Sequence, residues 1–345
     1  MTSKLCKQEL QLSKNERMSL QDPTDLCFPQ LFNDSCRKPA SLLSETMLLH
    51  VVLSCISLIT VVLNLMIIIS VSHFRQLHTP TNILLLSLAV SDFLVGLVSM
   101  PVDILRKTSC WYLGDFLCSL FMYVSYIITS ASVGVMVLIS VDRFVAICDP
   151  LHYPSRVTER RAKVSVCLCW FISALYNIIL VKDELIQLGM HNSCHGECVI
   201  FVDSIIGTLD IVITFIVPVF VIVVLYMRVF VVAVSQARAM RSHVTAVTLQ
   251  LSVAATTKKS ELKAARTLGV LVLVFLFCFC PYYCVSIAGT ELFNRFSEFV
   301  YYLFFFNSTI NPLIYTLLYP WFRKAVKLIV TLQILKPGSC EANIL

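Results

Sequence analysis

At 345 residues, with 57% hydrophobic and only 14% charged side chains, the chain is too apolar to be a soluble globular protein and belongs in a bilayer. Its formal net charge of +6 comes mainly from basic residues between apolar runs, a pattern that marks membrane topology and argues against nucleic acid as a partner.

Apolar runs long enough to span hydrocarbon recur seven times, over about 46–71, 82–102, 115–147, 164–181, 204–234, 264–288 and 296–318. The predicted fold is all-α: a seven-transmembrane-helix bundle over 46–319, an N-terminal tail over 1–45, and a short amphipathic helix with a tail over 320–345. Basic residues follow the third run (Arg156, Arg160, Arg161, Lys163), the fifth (Arg238, Arg241, Lys258, Lys259, Lys263, Arg266) and the seventh (Arg323, Lys324, Lys327). The positive-inside rule puts these segments in the cytoplasm and the N-terminus outside. Acids balance the basic residues of the tail, where Asn33-Asp34-Ser35 is a glycosylation acceptor usable only on the lumenal side. No apolar stretch precedes the first run, which is expected to act as a signal anchor.

In chain order, the first run holds Asn64 and the second holds Asp92, polar groups that in hydrocarbon need a partner or a water-filled cavity. The third has no charged residue from Ser119 to Val141 and ends on Asp142-Arg143-Phe144, followed by DPLHYP from Asp149. In isolation that Asp-Arg pair reads as a capped, solvated turn. The fifth carries Asp210 eight residues before Pro218, about 12 Å outward along the axis. No Lys or Arg lies within a predicted crossing at that depth. Its partner is therefore an external cation, boxed by Tyr282, Tyr283 and Tyr301, or else it is protonated or hydrogen-bonded to Thr214. The sixth contains Pro281, whose missing N–H frees a carbonyl and gives a pivot. The seventh closes with NSTINPLIYTLLYPWF from Asn307 to Phe322.

Of fifteen cysteines, Cys55, Cys148, Cys167, Cys169, Cys278, Cys280 and Cys284 lie in or at the inner ends of helices, as apolar fillers. Cys6, Cys27, Cys36, Cys110, Cys118, Cys194 and Cys198 fall outside, where disulfides form. Cys194, His195 and Cys198 also offer a metal-ligand set, the weaker alternative.

Cys118, Asp142-Arg143-Phe144 and the DPLHYP segment together resemble the third helix and second inner loop of class A G-protein-coupled receptors. Asn307, Ser308, Asn311, Pro312, Tyr315, Tyr319, Trp321 and Phe322 resemble the fingerprint of trace amine-associated receptors, a likeness covering about 46–332. The resemblance implies a bridge between Cys118 and Cys198, and one from Cys194 to tail residue Cys27 or Cys36, with Cys36 favoured as nearer the first helix. It implies that Asn64, Asp92, Asn307 and Asn311 form a sodium-binding cluster, against the alternative of a purely structural hydrogen-bond network. It further implies that Glu261 holds Arg143 at rest and that Arg143, Tyr226 and the basic loops engage a stimulatory or olfactory G protein, raising cAMP. The expected setting is the plasma membrane of olfactory sensory neurons, with 320–330 lying on membrane lipid.

Four positions depart from the family pattern: Leu63 replaces a usual glycine, Phe279 a tryptophan, Ser125 the amine-binding aspartate of helix three, and Phe305 the tyrosine that holds it. Asp210 resembles the helix-five aspartate of a subset of fish trace amine receptors. The resemblance thus implies a small amine with its ammonium on Asp210 and its body toward Ser125, Thr129 and Phe279, biasing the kinks at Pro218 and Pro281. The alternative is a class A receptor that has lost amine recognition and binds a neutral or acidic ligand. A transporter or channel would need repeats or a charged pore, and an enzyme a nucleophile with a base; neither pattern is present.

Overall fold

The computed structural model describes residues 26–31, 34–38, 43–189, 192–199, 203–243, 252–288, 290–342 and 344. Among them run seven long helices: α1 Leu43–His73, α2 Pro80–Thr108, α3 Gly114–Cys148, α4 Glu159–Leu180, α5 from Ser204 to His243, α6 Ser252–Ala288 and α7 Thr290–Leu318. An eighth, α8, spans Pro320–Val330. By length and composition, α1 to α6 each contain a segment apolar enough to cross a membrane.

Most helices outrun the apolar stretches that announce them. Hydropathy marks only the segment immersed in hydrocarbon, whereas a helix ends where its terminal N–H and C=O groups find other partners. Thr79 accepts from the backbone N–H of Asn82 and, with Pro80 after it, opens α2; Thr158 accepts from Arg161 and opens α4. The overrun matters most at the end of α2. The predicted run stopped at 102, but the helix continues to Thr108 and carries Asp103, Arg106 and Lys107.

Two crossings contain a π-turn, Val95–Ser99 in α2 and Val212–Ile216 in α5. Each is followed within two residues by a proline, Pro101 or Pro218, with no N–H to return to the carbonyl four residues back. The backbone absorbs the mismatch as one wider turn. An extra residue in a turn rotates everything before it by about 100° relative to an unbroken helix. That rotation sets the face on which Asp210 stands.

The interior is filled by Phe74, Leu85, Leu88, Met136, Ile139, Phe275, Tyr315 and Phe322, all essentially solvent-free. The outer surface is as apolar as the core: Leu48, Leu58, Phe171, Phe220, Phe277 and Leu317 stand exposed. On a soluble protein such a surface would drive aggregation; hydrocarbon covers it here. In α8, Trp321, Phe322 and Ala325 turn inward while Arg323 and Lys324 face out, an arrangement suited to a helix lying along a membrane surface. Beyond it the chain folds back: Ser339 Oγ lies 3.0 Å from His73 Nε2, and Ile344 is buried.

At the opposite end lie three disulfides: Cys27–Cys110 and Cys36–Cys194 tie the tail to the loops, and Cys118–Cys198 ties α3 to the loop before α5. The first corrects the sequence expectation, which left Cys110 unassigned and offered Cys27 as an alternative partner for Cys194. Cys194 and Cys198 are both oxidised, so the suggested metal-ligand set has no thiolate to offer. Paired bridges Leu26↔Arg37 and Ser35↔His195 extend the clamp, and Cys36 N–H donates to His195 O at 2.9 Å. Gly196 sits at φ +107°, where a Cβ would lie 2.9 Å from the Cys27 Cβ, so only glycine lets the loop pass this close. Asn33 and Cys6 lie outside the described residues.

The Cys27–Cys110 bridge closes a loop between residues 83 apart, and removing it as the Cys27→Ser/Cys110→Ser pair is expected to cost about 2–4 kcal/mol. Surface labelling should persist, since Cys36–Cys194 still anchors the tail, while thermal inactivation of the detergent-solubilised protein shifts to lower temperature. An unshifted inactivation curve would show that this bridge contributes nothing.

Candidate functional site

Behind the disulfide clamp, a cavity of about 700 Å³ opens between α2, α3, α5, α6 and α7. Its walls bring together Ser125 and Thr129 from α3, Asp210 and Thr214 from α5, Tyr282 and Tyr283 from α6, and Tyr301 and Phe305 from α7. The α5 π-turn begins two residues after Asp210, which stands on the cavity wall. Phe279 is not on the wall. It lies one layer deeper, 4.4 Å from the ring of Phe304, which lines the cavity in its place.

The carboxylate of Asp210 accepts a hydrogen bond from the Tyr176 hydroxyl at 2.8 Å. Tyr176 belongs to α4 and carries no motif; only the packing of α4 against its neighbours brings it to Asp210. Thr214, which the sequence offers as a partner for the carboxylate, donates instead to the backbone carbonyl of Asp210 at 2.7 Å. With one oxygen oriented by a phenol, the carboxylate stands on the cavity wall. Around it stand π-faces: Tyr283 stacks on Phe215 at 4.1 Å, and Tyr282 sits 6.1 Å from Tyr301 and 5.5 Å from Phe304. A carboxylate beside phenols and ring faces is the chemistry that holds an ammonium. The Ser125 hydroxyl lies 3.4 Å from that of Ser99.

The expectation that no Lys or Arg shares the depth of Asp210 fails here. Arg106 and Lys107 line the same cavity, because α2 runs on past 102. Asp103 organises both, at 2.8 Å from Arg106 and 3.4 Å from Lys107, and the Lys107 ammonium rides 3.9 Å above the Tyr301 ring.

Deeper in the bundle, Asp92 is buried and accepts from Asn311 Nδ2 at 2.8 Å. Asn64 donates to the carbonyls of Thr60 and Ser308. The side-chain oxygens of Asn64, Asn307 and Asn311 are buried and accept no hydrogen bond among the described residues. Buried amide oxygens seldom go unused. These amide oxygens and the Asp92 carboxylate are hard-oxygen donors, the type a small cation takes.

At the end opposite the disulfides, Asp142 accepts from Thr81 and Tyr153, each at 2.8 Å, and from the adjacent Arg143 guanidinium, which also donates to Thr81. Burial pushes the Tyr153 phenol above its usual range, so it stays a donor. Tyr226 and Tyr315 hold buried hydroxyls with no partner among the described residues. Pro281 and Pro312 lie inside α6 and α7. The side chain of Glu261, the expected resting partner of Arg143, lies outside the described residues.

Residues 63–315 match the family model described as 7 transmembrane receptor (rhodopsin family). The chain is 37% identical to trace amine-associated receptor 13c of Danio rerio, over 94% of this chain and 97% of that one. It is 36% identical to trace amine-associated receptor 5 of Rattus norvegicus, covering 94% and 96%. With trace amine-associated receptor 4 of Mus musculus the identity is 35%, covering 90% and 93%.

Proposed function

The chain belongs to the rhodopsin family of seven-transmembrane receptors and, within it, to the trace amine-associated receptors, and from that premise we propose that it detects a small amine whose ammonium binds Asp210. It is a receptor and not an enzyme, a multi-pass plasma-membrane protein with a small-molecule ligand and a G-protein partner. The single observation that carries the ligand reading is the position of Asp210: a carboxylate on the cavity wall, oriented by Tyr176 and flanked by Tyr282 and Tyr283, while Ser125 and Phe305 are uncharged.

In this reading an ammonium desolvated against Asp210 draws α5 toward α3 and α6. The α5 π-turn and the Pro281 kink are the soft points that take up the movement. At the far end, Arg143 leaves Asp142 and Thr81 and, with Tyr226, receives the G protein. Coupling is to a stimulatory or olfactory G protein and cAMP, in olfactory sensory neurons. The N-terminus is outside, a reading supported by three disulfides at that end and the basic segments at the other. The test is a cAMP reporter screen of monoamines and diamines against wild type and Asp210 variants at matched surface expression.

The residues around Asp92 fit a sodium ion: Asp92, Asn311, Asn64 and Asn307 would hold it, and it would supply a fixed positive charge beside a buried carboxylate. Replacing choline chloride by sodium chloride at constant ionic strength is expected to raise the thermal stability of the purified receptor. Asp92→Asn should abolish that rise, as read by a thiol- or dye-based unfolding assay. An equal sodium response in both proteins would remove the ion from this site.

A further inference from the structure

We propose that the ligand is zwitterionic: an amine bearing an acidic group, its ammonium on Asp210 and its anion on Arg106, with Lys107 beside it. The proposal rests on the Asp210 reading above and extends it to the other end of the ligand. The cavity wall carries three charged residues among those described, Asp210 on α5 and Arg106 and Lys107 on α2. Only the first suits an ammonium.

Arg106 is held as a donor platform. One terminal nitrogen donates to Asp103 at 2.8 Å and the other to the carbonyl of Cys198 at 3.1 Å, so the guanidinium plane is pinned between α2 and the loop bridged to α3. Its Nε is buried and donates to nothing among the described residues. A guanidinium presents five N–H groups; the Arg106 side chain is 20% exposed on the cavity wall, where the terminal N–H groups not spent on Asp103 and Cys198 can meet an acceptor. Lys107 adds a second cation, leaning over Tyr301, itself a wall residue. With Asp103 counted, the cluster keeps one net positive charge, against which a diamine would set its second ammonium and an amino acid its carboxylate.

The test compares β-alanine, γ-aminobutyrate and 5-aminopentanoate with n-alkylamines of the same chain length, and adds taurine and cadaverine. Readouts are G-protein activation in cells at matched surface expression and thermal stabilisation of the purified wild type. The best amino acid is expected to be about tenfold more potent than its matched alkylamine, the worth of one charge-assisted contact. Taurine separates a sulfonate from a carboxylate source of the anion. Arg106→Gln should erase the amino-acid advantage while leaving the alkylamine response, and Arg106→Glu should shift preference toward cadaverine, a gain no merely structural role predicts. Should the Arg106 variants fail to reach the surface, Lys107→Gln provides the same selective test. If the alkylamine or diamine matches or exceeds every amino acid on wild type, or if Arg106→Gln weakens both series equally, the zwitterion is wrong. Asp210→Asn serves as the separate control: loss of both series leaves the amine reading standing whatever the Arg106 result, and no effect on either overturns both.

Discussion

Asp210→Ala is expected to abolish activation by the receptor's amine at unchanged surface expression. Removing one partner of a desolvated, hydrogen-bonded charge pair costs about 2–5 kcal/mol, which corresponds to about 30-fold to several thousand-fold in affinity. The loss should be electrostatic and not a collapse of the site, because Asp210 is only half-buried and its backbone is held by α5 and by Thr214. Asp210→Glu keeps the charge but pushes it past Tyr176, and should retain a weakened response. Tyr176→Phe keeps the ring and removes only the 2.8 Å hydrogen bond that orients the carboxylate. A hydrogen bond to a charged group is worth about 1.5–3 kcal/mol, so potency should fall by about tenfold to a hundredfold. Concentration–response curves in a cAMP reporter assay, normalised to surface labelling, give all three values. An alanine variant that responds like wild type would place the ammonium elsewhere.

The second large effect lies at the opposite end. Arg143 and Asp142 have side chains only 8% and 3% exposed, and Asp142 also takes the hydroxyls of Thr81 and Tyr153. Asp142→Ala strands a buried guanidinium and two donors at once. Breaking a buried pair in this way costs about 3–5 kcal/mol. The resting arrangement bears that cost, so two changes are expected together: ligand-independent signalling rises and the thermal half-life of the purified receptor shortens. Asp142→Asn, which still accepts from Thr81 and Tyr153, should sit between alanine and wild type in both assays. Basal signalling that stays flat while stability falls would make the cluster a structural clasp only.

The membrane class, the number of crossings and the two motif-bearing ends were legible because they depend on local, additive quantities. Transfer of a side chain into hydrocarbon is nearly independent of its neighbours, so seven apolar runs mark seven spans to within a turn or two. Asp210 stood out for the same reason: a carboxylate in such a run is costly wherever the chain places it. Ser125 and Thr129 were named through the family resemblance, and the tyrosines of α6 and α7 as aromatic partners for a cation in the same cavity.

What could not be read were contacts between side chains distant in sequence. Tyr176 meets Asp210 across α4 and α5, and nothing in either segment announces the other. Cys27 was offered only as an alternative partner for Cys194, and Cys110 had no assigned partner, until the tail's path was known. Arg106 and Lys107 lie beyond the apolar run, which ends at about 102; the helix runs on past it and carries them onto the cavity wall. The π-turns decide the direction of the outer parts of α2 and α5, since one extra residue swings a face by about 100°. The sequence by itself therefore determined the solvent, the topology and the presence of a carboxylate in search of a cation. Which groups surround that carboxylate, and that cations share its cavity, depended on helix rotation and reach, properties of the packed bundle and of no single segment.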